Sequence, residues 1–548
     1  MPPPGLATTA RLPIDIRRFP WIRRLASDYA FEYDQLADFF SGNPATPGAW
    51  HDAIARAQDH PRDRERIAAV LDDQQRARGA PVEAVAAVAE LRDPRTVAIL
   101  TGQQAGLFGG PLLTLLKALT AVRLAEQVRA EHRVPAVAIF WVDAEDHDWD
   151  EVKRCAVLDA ALAPQSVTLG NPPGAHAGPV GRVRLDADVD RALADLERLL
   201  PVTAFTGDLA ATLRRAYRPG AGMAEAFGTW MESVLGPRGL IVFDASDAAA
   251  KPLAGPVFAR EIERAGDTSR MAAEAGAALE ARGYHAQATP QAGTVALFHL
   301  EHGREPVRQA GAGFTIGDAS YTKEALIELA EQRPHEFSPN VLLRPIVQDT
   351  LFPTACYVAG PNELAYLAQL GAVYRAFGVP MPLVAHRATV TLVDSNAMRF
   401  LVRHDVPLEA LRAQDEGALN QLLASQLPPG VEGALEDAGR LLQERMEALA
   451  AVVPQIDPTL EAATRATLGR MQDDLKKLHG KIIQAAKRKD DTLRRQFTHA
   501  RAQAFPGGHP QEREIGAVSF LNAYGPGLVE RLDEALTLEA GIHWVIAV

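Results

Sequence analysis

Residues 95–117, RTVAILTGQQAGLFGGPLLTLLK, constrain the fold of this chain more than any other stretch. An apolar run through Val97, Ile99 and Leu100 stops at Thr101-Gly102. A glycine-dense loop follows, with Gly106, Gly109 and Gly110 around the amides Gln103 and Gln104. Pro111 then opens an apolar series (Leu112, Leu115, Leu116, Leu119, Val122, Leu124) whose spacing predicts an amphipathic helix through Val128. Strand, glycine loop and helix in that order belong to an α/β fold. They also form an anion site, because glycine lets the backbone approach a ligand and the first helical N–H groups face negative charge. The loop has neither the Lys-Ser/Thr ending of a P-loop nor the GxGxxG register, so by itself it is equally a tight turn.

The surrounding sequence repeats the rhythm. Residues 20–92 read as helices, with Tyr29, Phe31, Tyr33, Phe39 and Phe40 packing on a core. Strand-like runs recur at 135–143, 239–244, 341–347, 355–359 and 382–393, and helical segments at 221–235, 257–282 and 362–377 lie between the later ones. The alternation predicts an α/β fold with a doubly wound parallel sheet. Residues 151–200 read as an insertion with short strands, and 293–318 as a β-hairpin turning at Gly303, of the kind that covers a ligand crevice. After Asp394 the character changes. Leu468, Met471, Leu475, Leu478, Ile482 and Ala485 follow a 3-4-3-4-3 spacing, preceded by a helix with Leu442, Met446, Leu449 and Val453. With Pro454 and Pro458 at the turn, this predicts an antiparallel coiled-coil hairpin. The expected organisation is a core over 1–394, a helical domain over 395–505 and a segment over 506–548 that returns to the core.

Composition narrows the function classes. A chain of 548 residues supports two or more folding units, and a net charge of −12 argues against nucleic acid as a partner. No apolar run is long enough to cross a membrane. The opening Met-Pro-Pro-Pro-Gly lacks the features of a signal peptide and reads as a frayed tail. Two distant cysteines, Cys155 and Cys356, point to a reducing cytoplasm and supply no multi-cysteine zinc site; Cys356 reads as a small buried core residue, Cys155 lies in the insertion, and neither reads as a catalytic thiol. The basic run Lys487-Arg488-Lys489 reads as a solvated helix face.

Two further clusters carry chemistry. In FWVDAEDHDWDEV (140–152), Asp143, Glu145, Asp146, His147 and Asp148 crowd the end of a strand, where open α/β sheets bind ligands. The readings are magnesium binding, recognition of an amine, acid–base chemistry at His147, or a solvated loop with a helix cap at Asp146 or Asp148. In residues 338–366, Arg344 and Gln348 sit in a strand-like run, followed by Tyr357 and Gly360 in a turn and Glu363 at a helix start. Arg344 either recognises a carboxylate or phosphate or belongs to a buried ion pair. Glu363 either joins the site or stabilises its helix. Arg387 is a second cation at a strand end.

Together, TGQQAGLFGGPLLTLLKA (101–118), FWVDAEDHDWDEV, LLRPIVQDTLFPTACYVAGPNELAY (342–366), MPLVAHR (381–387) and PGGHPQER (506–513) resemble the bacillithiol-biosynthesis cysteine-adding enzymes, over roughly four-fifths of the chain. The resemblance implies a Rossmann-like core with inserted segments and a coiled coil that forms a homodimer. It also implies amide formation between L-cysteine and glucosaminyl-malate, the last step of bacillithiol synthesis, with the cysteine carboxylate activated by ATP. On this reading the glycine loop, with Gln103 and Gln104, holds phosphate or a malate carboxylate. Asp143, Glu145, Asp146 and His147 receive and deprotonate the amine, and Arg344 and Arg387 neutralise carboxylates. Asp148, Gln348, Tyr357, Gly360 and Glu363 complete the substrate site, and Gln511, Glu512 and Arg513 are candidates for contact with ATP or ADP. Magnesium is compatible with the acidic loop, no zinc ligand set is evident, and the HxGH motif of adenylating relatives is absent. The rival readings are a metal-dependent hydrolase using the 143–150 carboxylates and a non-catalytic ligand-binding scaffold built on the coiled coil.

Overall fold

A computed structural model describes residues 10–291, 293–425, 430–489 and 491–548, without the side chains of 486–489. The expected frayed tail and the side chains of Lys487-Arg488-Lys489 lie outside the described residues. Contacts divide the chain into two units. One comprises residues up to Thr391 together with Gln511–Ile546, and the other comprises Leu392–Pro510.

The first unit is built on a five-stranded sheet of β1 (Val97–Gln103), β2 (Ala136–Val142), β3 (Leu240–Asp244), β4 (Thr354–Ala359) and β5 (Leu383–His386), in the order β5-β4-β1-β2-β3. Every neighbouring pair is parallel. Alternate side chains enter cores on opposite faces. Ala98, Leu100, Val137, Ile139, Ile241 and Phe243 share one core with Ile67, Leu71 and Val88 of the N-terminal helices. Phe140 turns the other way and meets Phe227, with ring centroids 5.7 Å apart. The chain fills β1, β2 and β3 outward in one direction and then returns to add β4 and β5 beyond β1. The strand order therefore reverses between β1 and β4, the position where open α/β sheets form a ligand crevice.

The 293–318 hairpin is part of a larger feature. Thr294–His299 and Glu305–Ala310 pair within a second, antiparallel five-stranded sheet that also contains Gly313–Ile316, Ala319–Tyr321 and Phe337–Pro339. Residues 151–200 hold a two-stranded ribbon, Arg154–Leu158 with Pro164–Thr168. At the end of the chain, helices Ala517–Tyr524 and Gly527–Ala535 precede a strand, Ile542–Ala547, that pairs with Arg11–Asp15.

Several local expectations are corrected. The run 341–347 is not a strand: Arg344–Leu351 is a helix, with Pro345 in its first turn, where the missing N–H costs nothing. Residues 382–393 split into Leu383–His386 and Thr389–Val393, and 257–282 into Lys251–Glu263 and Asp267–Ala281, divided at Gly266 with φ 87°. The segment 362–377 likewise divides into Pro361–Leu367 and Gly371–Phe377.

In the second unit, helices Val431–Val452 and Leu460–Lys489 form the antiparallel hairpin. Its seam keeps Leu468, Leu475 and Ile482 but departs from the expected apolar spacing at the positions between them. Gln472 donates to Gln443 across it at 2.6 Å, and His479 meets Glu432 at 3.0 Å, whereas Met471 and Leu478 are 44% and 48% exposed.

Candidate active site

A cavity of about 570 Å³ opens at the strand reversal. The carboxyl end of β1 brings Gly102, Gln103 and Gln104, the end of β2 brings Asp143 and Asp146, and β4 brings Tyr357 and Gly360. Phe298, Arg304, Pro339 and Asn340 of the antiparallel sheet and its connections close one side, as hairpins hung on a parallel sheet do. Gly102 is required by close approach: a Cβ there would lie 2.8 Å from the Trp141 carbonyl oxygen on the adjacent strand.

The glycine loop folds on itself. Gly106 N–H donates to the Gln104 carbonyl, Gly109 N–H to the Gly106 carbonyl and Gly110 N–H to the Leu107 carbonyl. The helix Leu112–His132 starts with Leu112 N–H donating to the Ile515 carbonyl at 2.8 Å, so the protein itself uses that N–H group. Gly109, at φ 91°, packs against Trp230 and is not a cavity wall; Gly106 and Gly110 face a smaller neighbouring cavity. The positive charge of the main cavity comes from side chains instead.

Lys117 supplies one cation. It lies on the long helix and is only 1% exposed. Its ammonium donates to the Gly102 carbonyl and pairs with Glu363 at 2.6 Å. Glu363 also accepts from Gly360 N–H and from the Tyr357 hydroxyl, both at 2.7 Å. Burial alone would raise the Glu363 pKa, but Lys117, Gly360 N–H and Tyr357 outweigh it and hold the group as a carboxylate. Glu363 thus stabilises its helix start and faces the cavity at once. Sequence reasoning missed Lys117; the available signal was a lysine as the first charged residue of a helix that is apolar to that point except for Thr114.

Arg344 is the second cation, held from behind. Nη1 donates to Gln348 Oε1 at 3.0 Å and Nη2 to the Tyr366 hydroxyl at 2.8 Å. Gln348 donates in turn to Asp349, which accepts from the Tyr374 hydroxyl at 2.5 Å. Gln348 therefore lies behind the wall, a correction to its expected contact with substrate. No described carboxylate forms an ion pair with Arg344, so the buried-pair reading fails and its charge faces the cavity. Arg387 differs: Glu512 takes it in two parallel bonds of 2.5 and 2.9 Å, so its charge is neutralised and Glu512 is occupied. Gln511 is buried away from the cavity, and Arg513 lines it.

The acidic loop separates into distinct roles. Asp143 lines the cavity, and its carboxylate accepts no hydrogen bond from a described side chain. Burial raises its pKa and the nearby Asp146 charge adds to this, against the pull of Arg344. Asp146 accepts from Gln104 at 2.7 Å and from His147 N–H at 2.8 Å. Burial opposes its charge, but these bonds and Arg304 outweigh it and lower its pKa. Glu145 is a correction: it turns inward to a buried ion pair with Lys251 and does not reach the cavity. His147 stays exposed at the rim, 3.1 Å from Arg304. Asp148 caps the helix Trp149–Val152 by accepting from Glu151 N–H. Burial pushes the Cys155 thiol up to about 12 and also raises Cys356, which leaves both protonated and unreactive near neutral pH.

Metal-capable side chains do not gather here. Among the described residues, the three-residue group close enough to share an ion is His299, Glu301 and Glu336, where Glu336 is already paired with Arg333. The 143–150 carboxylates that a metal-dependent hydrolase needs form no such group.

Residues 12–388 match the family described as "Bacillithiol biosynthesis BshC, N-terminal Rossmann-like domain", and 390–548 match its "C-terminal coiled-coil domain". Curated relatives bearing the name "Putative cysteine ligase BshC" include proteins of Salinibacter ruber (35% identical), Chlorobaculum tepidum (33%) and Koribacter versatilis (32%). The alignments cover 95%, 94% and 95% of this chain and 95%, 94% and 97% of those proteins. No described helix is long and apolar enough to cross a membrane.

Proposed function

The chain belongs to the bacillithiol-biosynthesis BshC family, and from that premise we propose that it is an amide-forming ligase joining L-cysteine to glucosaminyl-malate in the cytoplasm. The observation that carries the reading is Asp143: a half-buried carboxylate without a side-chain donor, facing a cavity at the strand reversal, with Arg344 unpaired beside it. Arg344 binds a malate carboxylate by the planar fork that suits it. Asp143 receives the glucosamine ammonium and takes its proton, which leaves the neutral amine as nucleophile. Asp146, already ionised and hydrogen-bonded, adds negative potential that holds the amine in place.

Amide formation needs an activated acyl group. ATP supplies it as co-substrate, so that the departing carboxylate oxygen leaves on phosphate or AMP when the C–N bond forms. The cations of the cavity without a carboxylate partner, Arg344 and Arg513, suit phosphate as well as carboxylate. Two copies pair through the exposed apolar stripe that includes Met471 and Leu478. The direct test is mass detection of bacillithiol from purified protein, L-cysteine and glucosaminyl-malate, with and without ATP. Product only with ATP supports the whole scheme, product without it removes the nucleotide, and no product in either case overturns the ligase reading.

A further inference from the structure

A second cavity, of about 170 Å³, adjoins the first. The two share Gln103, Gln104, Glu151 and Arg513. Cavities of about 300–1,000 Å³ hold drug-sized ligands, so the larger space suits a sugar conjugate and the smaller one a molecule of amino-acid size.

The smaller cavity carries both signs of charge, Arg154 and Arg513 against Glu151 and Glu514. Arg513 makes no ion pair or hydrogen bond with any described residue. Independently, Thr114 is 0% exposed, its hydroxyl has no partner, and that hydroxyl is the nearest atom to the space above Gly110 in the cavity wall. A buried hydroxyl without a partner is destabilising until a ligand supplies one. The inner surface around it is small and apolar, formed by Gly110, Pro111, Cys155 and Ala156.

We propose that this cavity is the subsite for the second substrate, a zwitterionic α-amino acid with a short side chain, L-cysteine. Its carboxylate faces Arg513 on the shared wall, its ammonium faces Glu151 and Glu514, and its side chain enters the pocket beside Thr114 and Cys155. That orientation presents the carboxyl carbon to the larger cavity, where the amine of the other substrate waits beside Asp143. The assignment rests on the ligase reading, but it is tested by binding rather than turnover.

The experiment is calorimetric titration of L-cysteine, under reductant and with or without glucosaminyl-malate, into the wild type and two variants. Ser166 is exposed at the cavity mouth, so Ser166→Trp blocks entry without disturbing the core. It is expected to weaken L-cysteine about tenfold or more while glucosaminyl-malate affinity changes by less than about twofold. Thr114→Val is nearly isosteric. It is expected to weaken L-cysteine about threefold and to raise the thermal midpoint, a pairing that a purely structural hydroxyl does not give. Unchanged cysteine affinity in both variants, equal loss of both ligands in Ser166→Trp, or a wild type that binds no cysteine would overturn the assignment. Failure of the ligase reading shows separately, as absence of bacillithiol from a wild type whose cysteine binding still follows the two variants.

Discussion

Lys117 and Glu363 meet at 2.6 Å inside the crevice, one from the helix after β1 and the other from the helix after β4. The pair links the two strands between which the sheet order reverses. Its charges cancel, so it shapes the cavity while Arg344 keeps its charge for a ligand.

Breaking this pair from one side is costly. Glu363→Gln leaves the Lys117 ammonium buried without a counter-charge, and loss of about 3–5 kcal/mol is expected. Chemical denaturation of the variant measures it. Combining the change with Lys117→Met recovers much of the loss, because no buried charge remains; a double mutant less stable than Glu363→Gln contradicts the pair as described.

Asp143→Asn removes the proposed base. A loss of about 10²–10⁴ in kcat is expected, with folding intact. The pH profile carries the sign: burial raises the Asp143 pKa, so the base form disappears as pH falls through a value above the ordinary carboxylate range. The acidic limb of kcat/KM therefore lies above that range in the wild type and is absent in Asp143→Asn. An unchanged limb assigns it to another group.

Arg344→Lys retains charge but loses the planar fork and its two bonds to Gln348 and Tyr366. KM for glucosaminyl-malate is expected to rise about tenfold or more, with a smaller fall in kcat. Gln348→Ala, which touches Arg344 from behind, should shift the same KM by a smaller factor. Steady-state kinetics with varied glucosaminyl-malate distinguishes the two.

Glu261 gives a pH-dependent stability remote from the crevice. Burial raises its pKa to about 7, while the Thr268 hydroxyl and Ala296 N–H donate to it. A raised folded-state pKa favours the protonated fold, so its contribution is complete below the unfolded value of 4.5 and is lost as pH rises through about 7. The loss is about 3 kcal/mol at roughly 1.4 kcal/mol per unit. Glu261→Gln removes the charge, its Oε1 still accepting from Ala296 N–H while its Nε2 donates to the Thr268 hydroxyl, and its thermal midpoint should exceed the wild type at pH 8 and match it near pH 4.5.

Met471→Glu with Leu478→Glu places charge on the outer stripe of the helical hairpin and leaves the Gln472–Gln443 and His479–Glu432 contacts in place. On the proposed pairing, sedimentation is expected to show two chains for the wild type and one for the double variant. A double variant that still sediments as two puts the interface elsewhere.

The sheet was legible because β1, β2, β3 and β4 are apolar on both faces and bounded by helices, a pattern with few alternatives. Arg344 was misread because a short apolar run has no period of its own; Pro345 was the local signal for a helix start. The hairpin seam was legible at Leu468, Leu475 and Ile482 but not between them, because Gln472 and His479 take the inner positions and Met471 and Leu478 the outer ones. The acidic loop announced itself as a cluster, yet sequence could not say that Glu145 turns to Lys251 while Asp143 faces the crevice. That division depends on a residue more than a hundred positions away. Lys117 was hidden by being the right residue for solvent in the first turns of a helix, which are buried.

The reversal of strand order has a consequence for assembly. The crevice walls come from residues near 103, 143, 344, 360 and 513, so no contiguous fragment of the first four hundred residues contains all of them. A chain growing from its N-terminus completes the pocket only after the helical hairpin has been made and the terminal segment has returned. On the proposed function, affinity for substrate is thus expected to fall in chains cut short before Arg513, however well their early strands are ordered.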